Sequence, residues 1–208
     1  MRRAIAFILL LFCAVGAFAD RMDDWRRDQT AIEALLQQKR YAEARKASIK
    51  LTNHMLDRMA ADDDSGKLFA RTIALRAAAE DGLGNVDDTN WYRQVAKALD
   101  PQVQLPTMTT PVPAPIAAVL PINEFTEKPE VTYKREPERP GSVKDGAVAV
   151  VRVIIDVDGV VRQPSIVNSN VPAASYAALE AVKQWRFRPA KKDGRAVATP
   201  FNMTVSIH

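Results

Sequence analysis

Polar and apolar positions follow one rhythm up to about residue 100 and another after residue 146. Over 22–100 the apolar residues recur every three or four positions, the spacing that lines one face of a helix. Ile32, Leu35 and Leu36 mark one such face, while Tyr41, Ala44, Ile49 and Leu51 mark another, offset across Lys39-Arg40. The offset predicts two helices and a short turn. An Ala-rich helix is predicted over 68–79, a break at Gly82-Leu-Gly-Asn85, and a further helix over 91–99.

After residue 146 the period drops to two. Residues 147–156 are rich in β-branched side chains and 159–168 continue the pattern, with Asp156-Val-Asp-Gly159 between them as a hairpin signal. Pro164 offers no N–H, so the second strand is expected to be short, bulged or at an edge. Tyr176, Ala178, Leu179, Val182 and Trp185 fall on one helical face, with Glu180, Lys183 and Gln184 on a wet one. Pro189 predicts that this helix ends near Trp185 or Arg186. Asp193-Gly194 marks another turn. In 199–207, Phe201, Met203, Val205 and Ile207 alternate with Asn202, Thr204 and Ser206, which predicts a strand with one buried face. The fold class is therefore α+β: N-terminal α-helical hairpins, a Pro-rich linker, and a small antiparallel sheet with one packed helix in the order β-β-α-β.

The segment between the two rhythms, 101–124, holds Pro101, Pro106, Pro111, Pro113, Pro115 and Pro121, which favours an extended, semi-rigid linker over a collapsed core. Residues 1–19 read as an export signal, with Arg2-Arg3, an apolar run from Ala4 to Phe12, and Ala17-Phe18-Ala19 as a cleavage site. An uncleaved anchor is the rival reading. Lipid attachment at Cys13 is disfavoured by bulky Phe12 before it, and cleavage would leave a mature protein without cysteine. The expected division is 1–19 signal, 20–100 helical, 101–124 linker and 125–208 sheet domain.

The formal charge of +4 is spread along the chain, with no basic stripe interleaved with aromatics, so nucleic-acid binding is not expected. Asp156 and Asp158 lack the downstream acidic ligand of a calcium loop, and the run at Asp62-Asp63-Asp64 reads as a solvated loop or helix start. His54 and His208 have no partner at zinc spacing. Neither a nucleophile-elbow motif nor a phosphate-binding glycine loop occurs, so no catalytic residue, metal or cofactor is expected. Arg186, Arg188, Lys191, Lys192 and Arg195 form a basic cluster. It reads as a solvated rim, or as a contact for an acidic partner loop or anionic headgroups.

Two resemblances are carried by these residues. Val-Ile-Ile-Asp156-Val-Asp-Gly159-Val-Val, Ala178-Leu-Glu-Ala-Val-Lys-Gln-Trp185-Arg-Phe-Arg-Pro-Ala190, Asp193-Gly-Arg-Ala-Val and Phe201-Asn-Met-Thr-Val-Ser-Ile207 resemble the TonB C-terminal domain family over the last third of the chain. The family commonly opens with a Tyr-Pro pair and a short helix; here Arg139-Pro140 through Gly146 is shorter and carries no such Tyr. The second resemblance is to a degenerate tetratricopeptide repeat. Arg40-Tyr-Ala-Glu-Ala44 is similar to the turn into a repeat's second helix, and Gly84-Asn-Val86 with Lys97-Ala-Leu-Asp-Pro101 is similar to a repeat's end. The spacing of about 45 residues exceeds the usual one of about 34, and a generic helical bundle remains the alternative.

The first resemblance implies a periplasmic, non-enzymatic energy-transducer-like protein. Its last strand, Phe201, Asn202, Met203, Thr204, Val205, Ser206 and Ile207, would accept the N-terminal segment of an outer-membrane transporter by strand addition. Inner-membrane motor proteins are implied only if the N-terminus is an uncleaved anchor facing the periplasm. Family members that couple to the motor keep a histidine in that anchor, and residues 1–19 have none. The alternative is a periplasmic adaptor or assembly protein using both regions as interaction modules without energy transduction.

Overall fold

The computed structural model describes residues 2–60, 62–114, 116, 119–121, 124, 127–169 and 171–208, and for residues 2–19 and 63 the backbone alone. Met1, Pro115 and the side chains of residues 2–19, where an export signal was expected, therefore lie outside the described residues. The elements are α1 (Arg2–Gln37), α2 (Tyr41–Arg58), α3 (Asp63–Gly82), α4 (Val86–Leu99), β1 (Glu130–Tyr133), β2 (Ala147–Ile155), β3 (Val161–Asn168), α5 (Pro172–Val182), β4 (Arg186–Arg188), β5 (Ala190–Lys192), β6 (Arg195–Val197) and β7 (Thr199–Ile207). The α+β architecture read from the sequence is the one observed. Among the described residues no helix is long and apolar enough to cross a membrane.

Local chemistry ends the helices where the pattern placed the breaks. Lys39 takes a positive φ of 58° between α1 and α2, and the Arg40 N–H returns to the Leu35 carbonyl at 2.9 Å. Asp62 caps α3 by accepting from the Ser65 N–H at 2.8 Å, so the Asp run is a helix start. Gly82 makes room for the Tyr41 ring, since a Cβ there would lie 2.2 Å from it, and this fixes the α1–α2 pair against α3. A buried Glu80 then ties three elements together, accepting from Arg45 Nε at 2.8 Å and Asn85 Nδ2 at 2.6 Å.

The sheet runs β3-β2-β7, all antiparallel, with β1-β4 and β5-β6 as small two-stranded ladders beside it. Asp156 builds the β2–β3 turn: its Oδ1 accepts from the N–H groups of Asp158 and Val160, and its Oδ2 accepts from Arg162 Nε at 3.0 Å. Pro164 sits in a bulge on an edge strand, where Gln163 and Pro164 oppose the single residue between Arg152 and Ile154. The short strand β1 around Val131 pairs antiparallel with β4.

Two expectations for α5 need correction. The helix ends at Val182, not at Trp185 or Arg186, because the chain tightens through Gln184 N–H to Ala181 O and Trp185 N–H to Val182 O and then enters β4. Nor does α5 have a wet face. Its residues are buried nearly all round because α4 lies on the side away from the sheet and α3 reaches Tyr176 there through Phe69 and Arg76. The core is accordingly continuous, running from Trp25, Met55 and Phe69 through Tyr176 and Leu179 to Val151, Val153 and Ile207.

The Pro-rich stretch forms no helix or strand among its described residues, but its first part is pinned to the helices. Val103 is buried, Lys97 Nζ donates to its carbonyl at 2.7 Å, and Arg93 donates to the Thr110 carbonyl at 2.8 Å. Asp81 receives the N–H groups of Thr109 at 2.8 Å and Thr110 at 2.6 Å. Desolvation works against the Asp81 charge, but the bonds from Thr110 and Thr109 outweigh it and hold the carboxyl below its usual range. A depressed carboxyl contributes stability that is present above its unfolded pKa and lost as pH falls through the folded one. The Thr109 and Thr110 amide resonances should therefore titrate with a midpoint below the ordinary aspartate value. A midpoint above that value would show that the clamp does not form.

Candidate functional site

Strand β7 pairs with β2 over its whole length, from Ala147 opposite Ile207 to Ile155 opposite Thr199. Its other side pairs with no named strand among the described residues. Pro200 fixes which backbone groups face that open side. A proline nitrogen cannot serve the β2 ladder, so Pro200, opposite Ile154, turns its backbone outward. Two contacts agree with this parity. The Ile207 carbonyl accepts from Gly146 N–H at 2.9 Å on the β2 side, and the Ala198 carbonyl accepts from Leu120 N–H at 2.9 Å on the other. Backbone direction alternates along a strand. Asn202, Thr204 and Ser206 therefore aim N–H and C=O groups at the open edge.

Side chains alternate on the perpendicular axis. Met203, Val205 and Ile207 are buried on the α5 side with Phe201 half-buried, while Asn202, Thr204 and Ser206 are exposed. The three polar residues thus present both their backbone and their side chains to solvent. Around them the open face carries Val148, Val150, Ile154 and Pro200, with Arg152 in the middle. Arg152 Nε donates to Asn202 Oδ1 at 2.9 Å, which holds the cation across β7.

The basic cluster lies on the short ladders and not on this edge. Arg188 pairs with Glu130, Lys191 with Glu127 at 3.1 Å and Lys192 with Glu124 at 3.5 Å. Arg186 donates to the carbonyls of Lys183 and Trp185, and Arg195 is exposed on β6. Such solvent-facing ion pairs are worth about 0–1 kcal/mol each and exchange readily for other anions. His54 lies beside Arg58 and His208 lies 3.6 Å from Asp145. Among the described residues no group of three His, Cys, Asp or Glu could hold a metal.

A second polar arrangement escaped the sequence reading. On the covered side of α5, Glu180 accepts from Trp91 Nε1 at 3.4 Å and Tyr92 Oη at 3.3 Å, and Lys183 Nζ donates to Asp88 Oδ1 at 2.6 Å. Arg76 donates to the Tyr176 hydroxyl at 3.1 Å and stacks on the Tyr92 ring at 3.9 Å. Burial opposes the Arg76 charge, yet Tyr176, Tyr92, Glu180 and Glu80 hold its pKa above the ordinary value. Burial, reinforced by Glu180, pushes both tyrosine hydroxyls up, so they stay protonated and able to donate. The available signal was on α4, where Asp88, Trp91, Tyr92 and Val95 form a stripe at helical spacing that the helical core alone does not use up.

Residues 137–207 match the sequence model of the family described as "Gram-negative bacterial TonB protein C-terminal". That part of the chain is similar to the TonB C-terminal domain, and the match stops short of the helical region. No curated protein and no solved structure matches the chain.

Proposed function

We propose that this is a protein of the Gram-negative cell envelope whose C-terminal domain receives an extended segment of an outer-membrane transporter along the open side of β7. The supporting observation is the outward aim of the Asn202, Thr204 and Ser206 backbone groups, which offers a ready ladder to an incoming strand. Backbone bonds supply the affinity, and the side chains of the same three residues tune it. Arg152, held by Asn202, favours an acidic side chain on the incoming strand. The role is binding and transmission, without catalysis.

The division into a helical region over 20–100, a linker over 101–124 and a sheet domain over 125–208 belongs to this reading, as does export to the periplasm by residues 1–19. In the second reading the chain is a periplasmic adaptor. It is favoured by the polar contacts between α4 and α5, which fasten the helical region to the sheet domain as one body. The mature N-terminus separates the two: Asp20 in the periplasm supports the adaptor, and intact Met1 in the inner membrane supports a transducer reaching the motor proteins.

A contrast at one position tests the docking edge. Thr204→Ala keeps the outward N–H and should weaken binding of a transporter-derived peptide to the full chain only modestly. Thr204→Pro removes that donor and should abolish binding while circular dichroism still reports a folded protein. A folded Pro variant that binds like the wild type would exclude strand addition at β7.

A further inference from the structure

The near end of the open edge already has a backbone partner, and it comes from the same chain. Val119 lies opposite Ala198 in parallel register, Leu120 N–H donates to the Ala198 carbonyl at 2.9 Å, and the Thr199 hydroxyl donates to the Leu120 carbonyl at 3.0 Å. Ala198 is two residues before Pro200, so it shares the outward parity of Asn202, Thr204 and Ser206. The contact therefore sits on the side of the strand that an incoming segment would use. At the next step Pro200 has no N–H to return to the Leu120 carbonyl, and the Thr199 hydroxyl serves that carbonyl instead.

We infer that Val119 and Leu120 are a self-docked stub of strand that competes with the partner for the start of the β7 edge. This rests on the strand-addition reading. A segment that uses the edge from Ala198 onward must replace the Leu120 N–H with its own, and the stub must leave. Release is local: the chain stays fastened upstream where Asp81 holds Thr109 and Thr110, and downstream where Glu127 exchanges two backbone bonds with Lys191 at 3.1 and 3.0 Å. The stub thus keeps the edge partly satisfied in the free protein, limiting the unpaired groups that invite pairing with other chains.

Amide hydrogen exchange on the full chain reads this directly, with synthetic peptides matching the N-terminal segments of outer-membrane transporters as probes. In the free protein the Leu120 amide should be protected and those of Asn202, Thr204 and Ser206 should exchange fast. On peptide addition those three should gain protection and Leu120 should lose it. Gain at the three with Leu120 still protected overturns the competition and leaves docking intact. Gain at none of them overturns the docking reading itself, and the inference with it. Two variants give an independent check. Thr199→Val removes the hydroxyl bond to Leu120 without touching the backbone, and Leu120→Pro removes the donor to Ala198. Each should tighten peptide binding about three- to tenfold, the worth of one net hydrogen bond. Unchanged affinity in both would overturn the proposal.

Discussion

Replacing Trp185 with alanine should destabilise the protein by about 3–5 kcal/mol, the range for deleting a large buried aromatic side chain. Trp185 is 5% exposed, its ring centroid lies 6.3 Å from that of Phe187, and Lys134 Nζ lies 5.5 Å from the ring. Its indole N–H donates to the Arg135 carbonyl at 2.8 Å, which fastens the segment after β1 to the start of β4. The alanine variant therefore loses volume at the core and leaves the Arg135 carbonyl without its donor. Trp185→Phe should recover most of the packing and forfeit only the hydrogen bond, at about 1 kcal/mol. Chemical denaturation of the three proteins checks the order. An alanine variant with the wild-type midpoint would mean that Trp185 is not an anchor.

The second large effect is expected at Gly159, the last residue of the β2–β3 turn. It has φ +75°, and a Cβ added there would lie 1.8 Å from the Phe187 carbonyl oxygen. The close approach exists because Phe187 N–H donates to the Gly159 carbonyl at 3.0 Å, joining the turn to β4. Gly159→Ala must then meet a left-handed conformation at about 1–2 kcal/mol and a backbone clash at about 1–3 kcal/mol more. Gly194 supplies the control, with φ +76° and nothing within 4 Å of an added Cβ. Gly194→Ala should show the conformational cost alone. Equal denaturation midpoints for the two variants would refute the close approach of turn and β4.

Elements set by neighbouring residues were legible in the sequence, and those set by distant partners were not. Strands β2, β3 and β7 were legible because alternation, Pro164, Asp156 and the two turn glycines act on their immediate neighbours. The end of α5 was misplaced because Trp185 continues the helical spacing of Leu179 and Val182, whereas its actual partner is a carbonyl 50 residues earlier. Glu180 and Lys183 were assigned to solvent because they are charged. Their partners, Trp91, Tyr92 and Asp88, lie on α4, about ninety residues away, where no periodicity in α5 can show them. At the candidate site, the side-chain alternation of β7 was readable and its lateral parity was readable in principle. Pro200 tells which backbone groups face outward, a signal left unused. The Leu120 contact left no trace in composition, since it is made by backbone groups brought together over 78 residues of chain, from 120 to 198.

The lead-in to β2 has a mechanical consequence. Ser142 donates to the Leu56 carbonyl at the end of α2 through its N–H at 3.2 Å and through its hydroxyl, and Gly141 N–H reaches Asp57. Nearby, β2 lies against β7 over nine paired positions. A strand laid along β7 and tugged along its own axis would load that ladder in shear, with all its bonds resisting together and none peeled first. The tension would pass from β7 to β2 and from the lead-in of β2 directly into α2. The helical region would bear the strain, and the Pro-rich stretch could stay slack.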